Sequence, residues 1–239
     1  MSSSPCLLIP ATSPKRNPMI RSHTWIPLAH TPLEIRTRLT TNKTSFVDRS
    51  IDRFHHRSFQ NLPLRAGSSS PHHSSSPSEP LLREYFHAFN ALFFFNALSP
   101  TFCTFVVMGR NCEQWRREFA SGGPQRRGAT LKRAQPGLRW RAQVEVGIVV
   151  FEPVDARIGA AEKLRRCLGA MSAEMVRAFL GIYACACERC GARDGAAAEE
   201  AWGVVAVWME GFARERLGLE LDVVGDCGLV VEREWFCAF

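Results

Sequence analysis

A stretch of 24 residues, 85–108, contains no Asp, Glu, Lys or Arg, and it limits what the chain can fold into. A membrane-spanning helix needs about 20 predominantly apolar residues, so the stretch is long enough to cross a bilayer. Asn90, Asn96 and Pro100 lie inside it, however, and each raises the cost of insertion into lipid. A single membrane helix is therefore the alternative interpretation, and a soluble interpretation is preferred.

The preferred interpretation is an apolar, amphipathic helix over 79–98 that is followed by a core strand over 101–108. Ser78 is a favourable N-cap residue, and Pro80 is well tolerated in a first turn. Aromatic and leucine side chains then recur at helical spacing until Pro100, which ends the helix. The β-branched and aromatic residues that follow favour a strand.

The segment before this helix, residues 1–78, has the composition of a disordered Ser/Pro/Arg-rich arm. It contains 15 Ser, 9 Pro and a single Gly, with 10 Lys and Arg against 3 Asp and Glu. Its low apolar content leaves too little burial to offset chain entropy, and its prolines interrupt helices and central strands. Only residues 45–54 show helical spacing, with Ile51 and Phe54 on one face. The positive charge makes an acidic membrane surface a candidate partner of this arm.

Residues 109–141 are predicted to be a basic Gly/Arg-rich linker. Positions 110–141 carry nine Lys and Arg against two Asp and Glu. Arginines with interleaved tryptophans suit phosphate contact together with base stacking. The candidate nucleic-acid residues are Arg116, Arg117, Arg126, Arg127, Arg139, Trp140 and Arg141. The alternative is a solvated loop whose tryptophans are anchored in the core, because no known nucleic-acid-binding motif accompanies the stretch.

Residues 142–239 are predicted to form an α+β domain. Apolar residues alternate with others over 143–151 and again over 219–223, which is strand periodicity. A Gly-bearing turn then leads into a probable hairpin over 229–236. The expected fold is a small antiparallel sheet packed by about three helices, after the disordered N-terminal arm.

Helix start and stop signals divide the middle of this domain into three helices. The first begins near Asp155 and ends at Gly169, and Ser172 caps the second. The third carries apolar residues at helical spacing and ends at Gly218.

The chemistry open to the domain is narrow, because residues 109–239 contain no histidine. This excludes Ser-His-Asp and Cys-His catalysis there, as well as zinc sites that need His ligands. The sequence also lacks both Gly-rich phosphate-binding fingerprints. Glu145, Glu152 and Asp155 are the nearest carboxylate cluster, but acidic residues at a strand end and a helix start usually cap and solubilise. The prediction is that the protein is not an enzyme.

One cysteine cluster has metal-ligand spacing. Cys185, Cys187 and Cys190 combine CxC and CxxC patterns, and Cys227 or Cys237 would complete a four-thiolate zinc site. The alternative is that these cysteines are free thiols, because no secretory signal is evident and a reducing compartment is expected. No cofactor is expected on that interpretation, and zinc is expected on the first.

The residues indicate a class of function and no specific activity. The prediction is a non-catalytic protein-interaction module, in the cytoplasm or nucleus, whose partner is another protein. One alternative is a single-pass membrane protein anchored by 85–108, with its C-terminal domain in the cytoplasm because Lys and Arg follow the span. Another is a nucleic-acid-binding or thiolate-metal-binding protein that uses the basic stretch and the cysteine cluster.

The change of composition close to Met108 raises one further interpretation. The downstream residues are rich in Ala, Gly, Arg and Val, whereas the upstream residues are rich in Ser and Pro. On this interpretation the native product starts at Met108, and residues 1–107 are translated leader sequence.

Overall fold

Three strands and five helices make up the described part of the chain. In a computed structural model, the described residues are 25–41, 51–52, 54, 77–120, 127–134, 144–153, 158–185 and 196–225. The helices are α1 (Pro32–Thr41), α2 (Glu79–Phe94), α3 (Glu113–Ala120), α4 (Ala160–Tyr183) and α5 (Ala196–Phe212). The strands are β1 (Cys103–Met108), β2 (Gly128–Ala134) and β3 (Val144–Phe151), and a π-helical turn, Ala213–Leu217, continues α5. The α+β class predicted from the sequence is confirmed.

The uncharged stretch 85–108 folds as the end of α2, a turn and β1. It does not form one continuous membrane helix. Among the helices that the structure describes, none is both long enough and apolar enough to cross a membrane. One face of α2 is buried, because Tyr85 and Phe89 are fully enclosed and Phe93 is 1% exposed.

A buried asparagine ends α2 earlier than the sequence predicts. The side-chain amide of Asn90 donates to the Leu98 carbonyl, and the Leu98 N–H donates to the Asn90 side-chain oxygen, both at 3.0 Å. In the turn between Asn90 and Leu98, Phe95 and Asn96 adopt left-handed backbone conformations, with φ values of 54° and 61°. The left-handed region is open to asparagine but costly for most side chains, so this turn depends on the two Asn90 bonds.

The sheet is mixed, with the order β1-β3-β2. β1 runs parallel to β3, so that Met108 lies opposite Phe151. β2 runs antiparallel to β3, so that Gly128 lies opposite Val150. The predicted sheet was antiparallel throughout, and this detail is wrong. The segment that contains α3 and β2 provides the long crossover that a parallel β1–β3 pair needs.

The prediction of a strand over 219–223 is also wrong. The N–H groups of Val223 and Val224 donate to the Glu210 carboxylate on α5, at 2.6 and 2.8 Å. These amides therefore bond a side chain instead of a neighbouring strand. The hairpin predicted over 229–236 lies outside the described residues.

Part of the predicted disordered arm is folded, because α1 lies within it. Thr31 and Glu34 form a capping box: the Glu34 N–H donates to Thr31 Oγ1 at 3.1 Å, and the Thr31 N–H donates to Glu34 Oε2 at 2.9 Å. Pro32 occupies the first helical position, where its missing N–H costs nothing. Ile35 and Leu39 are buried in the core. The sequence prediction treated the prolines before residue 78 as interruptions, although this one starts a helix.

The residues before α1 attach it to the end of α4. The His30 N–H donates to the Tyr183 carbonyl at 3.1 Å, and the Cys185 N–H donates to the His30 carbonyl at 2.7 Å. The ring of Trp25 packs edge-on against Phe179, with centroids 4.7 Å apart. Backbone bonds and aromatic packing together hold this N-terminal segment in place.

Part of the predicted linker 109–141 is folded as well, because α3 and β2 come from it. β2 supplies one edge of the sheet, and α3 packs on the sheet beside the end of β3. Lys132 and Arg133 lie within β2. Edge strands tolerate charged residues, whereas central strands rarely contain them. The two charged residues therefore made this segment hard to recognise as a strand from the sequence.

α4 is one helix where the sequence predicts two. Gly169 and Ser172 were expected to stop one helix and cap the next, but both are buried inside α4. A glycine inside a helix costs roughly 0.5–1 kcal/mol relative to alanine. Burial of the apolar residues around it outweighs that cost. α4 lies between the sheet and α5. The π-helical turn that continues α5 ends at Gly218 (φ 65°), which confirms the predicted end of the last helix.

Residues on both sides of Met108 share one core. Phe93 of α2 packs against Phe212 of α5, with ring centroids 5.5 Å apart. Ile51 and Phe54, from the predicted arm, belong to the same buried cluster. Met108 is therefore the end of a strand in this fold and not the start of the folded unit.

Candidate functional site

One of the four predicted thiolate ligands lies in the described part of the chain. Cys185 follows α4 and is half-buried. The other three lie outside the described residues: Cys187, Cys190 and Cys227. Among the residues that the structure describes, no group of three or more His, Cys, Asp and Glu is placed to hold a metal ion. The zinc site stays a prediction from the sequence.

Three of the seven predicted nucleic-acid residues lie in the described part of the chain. Arg116 and Arg117 are exposed on α3, and Arg117 pairs with Glu113 one turn earlier. Arg127 precedes β2 and lies 3.9 Å from the Asp222 carboxylate. Burial of Arg127 lowers the pKa of its guanidinium. The remaining four lie outside the described residues: Arg126, Arg139, Trp140 and Arg141.

The described tryptophan of the basic segment is an anchor. Trp115 donates its indole N–H to the Glu152 backbone carbonyl at 3.0 Å, and its ring lies against Phe119 at 4.5 Å. A ring held on both its polar and apolar sides is poorly placed to stack on a base. This matches the alternative in which the tryptophan is part of the folded domain.

Glu145 and Glu152 of the predicted carboxylate cluster are too far apart to act as a catalytic pair. Glu145 lies at the start of β3 and Glu152 directly after its end, so the two are roughly 20 Å apart along the strand. Paired glycosidase carboxylates lie about 5–9.5 Å apart. Glu152 instead accepts from the Arg110 backbone N–H at 3.1 Å and pairs with the same residue's guanidinium at 3.5 Å. Asp155 lies outside the described residues.

A cleft lies at the carboxyl ends of the two parallel strands. This edge is where ligands usually bind in parallel sheets, because strand ends and helix starts meet there. The cleft has a volume of about 240 Å³. Its lining residues are Pro77, Glu79, Leu82, Val107, Gly109, Glu152 and Cys167.

The groups that line this cleft are paired or unreactive. The Glu79 carboxylate pairs with Arg83 at 2.6 Å. Burial raises the pKa of the Cys167 thiol to about 12, helped by the nearby negative charge of Glu152 and opposed by Lys163. A thiol with this pKa is protonated near neutral pH and is a poor nucleophile and metal ligand. The cleft therefore offers no activated nucleophile among its lining residues.

A buried polar cluster joins α4 to β2, and the sequence analysis missed it. Glu174 is 3% exposed and accepts from the Thr130 hydroxyl at 2.6 Å. Arg177 pairs with the same carboxylate, and its guanidinium lies 5.2 Å from the Trp202 ring. A Cβ at Gly128 would lie 2.8 Å from Glu174 Cγ, so glycine is required there. The signal was an acidic residue among the buried positions of a helix, which is rare unless the charge is paired.

On the sheet face that points away from α4, Thr104, Val106 and Leu131 are exposed, whereas Val149, opposite Val106 on the central strand, is only 3% exposed. We call the residues Thr104, Val106, Leu131 and Gly147 the outer patch. The register places Gly147 opposite Thr104 on β1 and opposite Leu131 on β2. Val106 and Leu131 are each 43% exposed, although both are apolar. Thr104 and Leu131 thus flank Gly147 directly, and Val106 lies further along β1, opposite Val149.

The same face is covered at one end by α3. The ring of Phe119 packs on Phe151 at a centroid distance of 5.7 Å, beyond the end of the outer patch. Phe151 is 8% exposed, whereas Val106 two residues before the end of β1 is open. The exposed apolar side chains of the outer patch therefore belong to the two edge strands, β1 and β2, and not to the central strand β3.

Comparison of the chain with protein-family models, curated proteins and solved structures found no match. The outer patch and the cleft are consequently interpreted from their own geometry.

Proposed function

We propose that this protein is a non-catalytic interaction module that binds another protein through the outer patch. The observation that carries the proposal is the exposure of two apolar side chains, Val106 and Leu131, on the edge strands of one sheet face, on either side of the central strand that carries Gly147. On the solvent face of a sheet with helices on one side, such positions are normally polar. Single exposed apolar residues are common, but two such residues on the same face of a rigid sheet favour a docking surface.

The two exposed side chains would contribute a measurable part of the binding free energy. Burying a whole Val or Leu side chain contributes about 1.5–3 kcal/mol, so burying the exposed 43% contributes about 1 kcal/mol for each. Together the two side chains supply about 2 kcal/mol, or roughly 30-fold in affinity. An aspartate at either position would also have to be desolvated against the partner, which increases the loss.

The other candidate functions have weaker support. Nucleic-acid binding by stacking needs exposed aromatic rings, whereas the outer patch has none and Trp115 is anchored. Catalysis needs an activated group, whereas the thiol of the cleft, Cys167, is held protonated.

The test is capture of binding partners by proximity labelling in cells with three versions of the full chain. Wild type is compared with the double variant Val106→Asp, Leu131→Asp. The matched control is Val207→Asp, because Val207 is also an exposed valine (60%) but belongs to helix α5 and not to the sheet. The proposal expects one set of partners to be labelled by wild type and the control and lost in the double variant. Equal labelling by all three chains, each folded by circular dichroism, would overturn it.

A further inference from the structure

The segment that precedes α1 is docked on the end of α4, and we call its residues 25–30 the N-terminal strap. The Leu28 N–H donates to the Ile182 carbonyl at 3.0 Å, and the His30 N–H donates to the Tyr183 carbonyl at 3.1 Å. These bonds run from the strap to the last turn of α4, so the strap closes over that end of the helix.

Two features of the docked strap cost free energy. Leu28 has a φ of 56°, and the left-handed region is unfavourable for a residue with a branched side chain. The indole N–H of Trp25 is enclosed and has no hydrogen-bond partner among the described residues. A polar group in this position has given up its bond to water without replacement. Both costs disappear when the strap leaves α4, so its docking is reversed more easily than the backbone bonds alone suggest.

The side chain of His30 also holds the strap in shape. Its Nε2 atom accepts from the Ile26 N–H at 3.3 Å, so the neutral ring carries its proton on Nδ1. His30 is 7% exposed, and its ring lies edge-on to that of Trp25, with centroids 5.2 Å apart. Protonation of Nε2 places a new N–H against the Ile26 N–H, and it therefore removes this hydrogen bond.

The charged groups that act on His30 in the described part of the chain lie on α1. Burial lowers the pKa of His30, and the positive charge of Arg38 lowers it further. The Glu34 carboxylate, 4.0 Å from Nδ1, raises this pKa but does not outweigh the other two effects. At the end of α4, burial raises the pKa of Tyr183 to about 12, so its side chain is uncharged near neutral pH. Cys185 meets His30 through its backbone N–H.

We propose that the N-terminal strap is a pH-sensitive switch, in which protonation of His30 at mildly acidic pH favours release of residues 25–30 from the end of α4. Release uncovers the rings of Phe179 and Tyr183, on which Trp25 packs with centroid distances of 4.7 and 5.7 Å. This proposal does not depend on the outer patch.

The direction of the pH effect follows from the two states of the strap. Well above pH 6.5, the usual pKa of histidine, His30 is neutral in both states and the docking is complete. As the pH falls, His30 takes up a proton in the released strap at a higher pH than in the docked strap, which favours release. Below the pKa of the docked state both forms are protonated, and the effect levels off.

Amide hydrogen exchange of the full-length protein, measured by NMR at about pH 5.5 and about pH 7.5, tests this proposal. The readout is the protection factor, corrected for the pH dependence of the chemical exchange step. The amides of Leu28 and His30 are expected to be less protected at the lower pH. They are also expected to be less protected at both pH values than the amide of Ile148 in β3, because release of the strap leaves the sheet folded.

Four variants of the full chain assign the effect to His30. His30→Gln keeps a side-chain acceptor for the Ile26 N–H but does not titrate, so its strap is expected to keep the same protection at both pH values. Arg38→Gln removes a like charge and is expected to make the loss of protection at the lower pH smaller than in wild type. Glu34→Gln removes the favourable carboxylate and is expected to make that loss larger. The matched control is Arg36→Gln, because Arg36 also lies on α1 but pairs with Glu200; its loss is expected to equal that of wild type.

The outcomes decide between a local switch and an effect of pH on the whole fold. The proposal is overturned if His30→Gln loses as much strap protection at the lower pH as wild type does. It is also overturned if the strap amides and the Ile148 amide have equal protection and respond equally to pH, because His30 then acts only through global unfolding. If His30→Gln does not fold, Arg38→Gln and Glu34→Gln decide, and equal losses in these two variants overturn the proposal.

Discussion

Replacing Asn90 with leucine tests the turn that divides the uncharged stretch. Asn90 makes two 3.0 Å hydrogen bonds to the backbone of Leu98, which is 1% exposed. Leucine is close to asparagine in size but makes neither bond, so the Leu98 N–H and C=O are left buried without these partners. Each such group costs about 1–3 kcal/mol, and the added apolar surface returns about 1 kcal/mol. The net loss of unfolding free energy is expected to be about 2–4 kcal/mol.

Urea unfolding followed by tryptophan fluorescence measures this loss. With a slope of about 2 kcal/mol per molar urea, the midpoint of Asn90→Leu is expected to lie about 1–2 M below that of wild type. The control is Asn96→Gly, because Asn96 is exposed at φ 61° and glycine adopts that conformation freely. The control is expected to stay within about 0.5 kcal/mol of wild type. The reasoning is refuted if Asn90→Leu also stays within that range, or if the control loses as much.

Three further predictions concern single residues. Burial lowers the pKa of His30 from its usual 6.5. As the pH falls, His30 is therefore protonated in the unfolded chain at a higher pH than in the folded protein. The stability of wild type relative to His30→Gln is therefore expected to fall as the pH drops below about 6.5, and to level off below the folded-state pKa. Urea unfolding midpoints of the two proteins, measured across this pH range, test this expectation. Gly128→Ala is expected to lower the unfolding free energy by about 1–3 kcal/mol, because its Cβ meets Glu174, whereas Gly147→Ala is expected to be neutral or slightly stabilising in the same thermal scan. Cys167, whose pKa is raised to about 12, is expected to resist iodoacetamide in the native protein and to react after unfolding, as mass spectrometry would show.

The elements that the sequence predicts well are those whose signal is local. Strand β3 is predicted by the apolar residues at every second position over 144–150. Val146, Ile148 and Val150 of this series are buried in the structure. The end of the last helix follows from Gly218, whose positive φ suits a residue without a Cβ. The start of α2 follows from Ser78 and the residues after it. In each case the deciding interaction joins residues within a few positions of one another.

The elements that the sequence does not predict depend on distant partners. α1 was assigned to a disordered arm. Its residues Ile35 and Leu39 are buried only because α4 and α5, which come much later in the chain, cover them. The continuity of α4 through Gly169 likewise depends on packing from outside the helix. Local propensity alone favours a break there.

The candidate site shows the same limit. Gly147 in a strand was visible in the sequence, but its neighbour Leu131 lies in the basic segment that was predicted to be a linker. Only the register between β2 and β3 brings the two together. The sequence singled out charged and sulfur-containing residues, whereas the outer patch is made of apolar residues and a glycine, which carry no chemical signature of their own.

The attachment of α1 also affects how the protein can be made. Arg36 of α1 pairs with Glu200 of α5 at 2.7 Å, across 164 positions of the chain. At roughly 5–20 residues per second, the ribosome needs on the order of 8–30 s to make the intervening chain. During that time the aromatic face of α2 has emerged without the helices that cover it. A nascent chain with such an exposed apolar surface is prone to aggregation until its last helix leaves the ribosome.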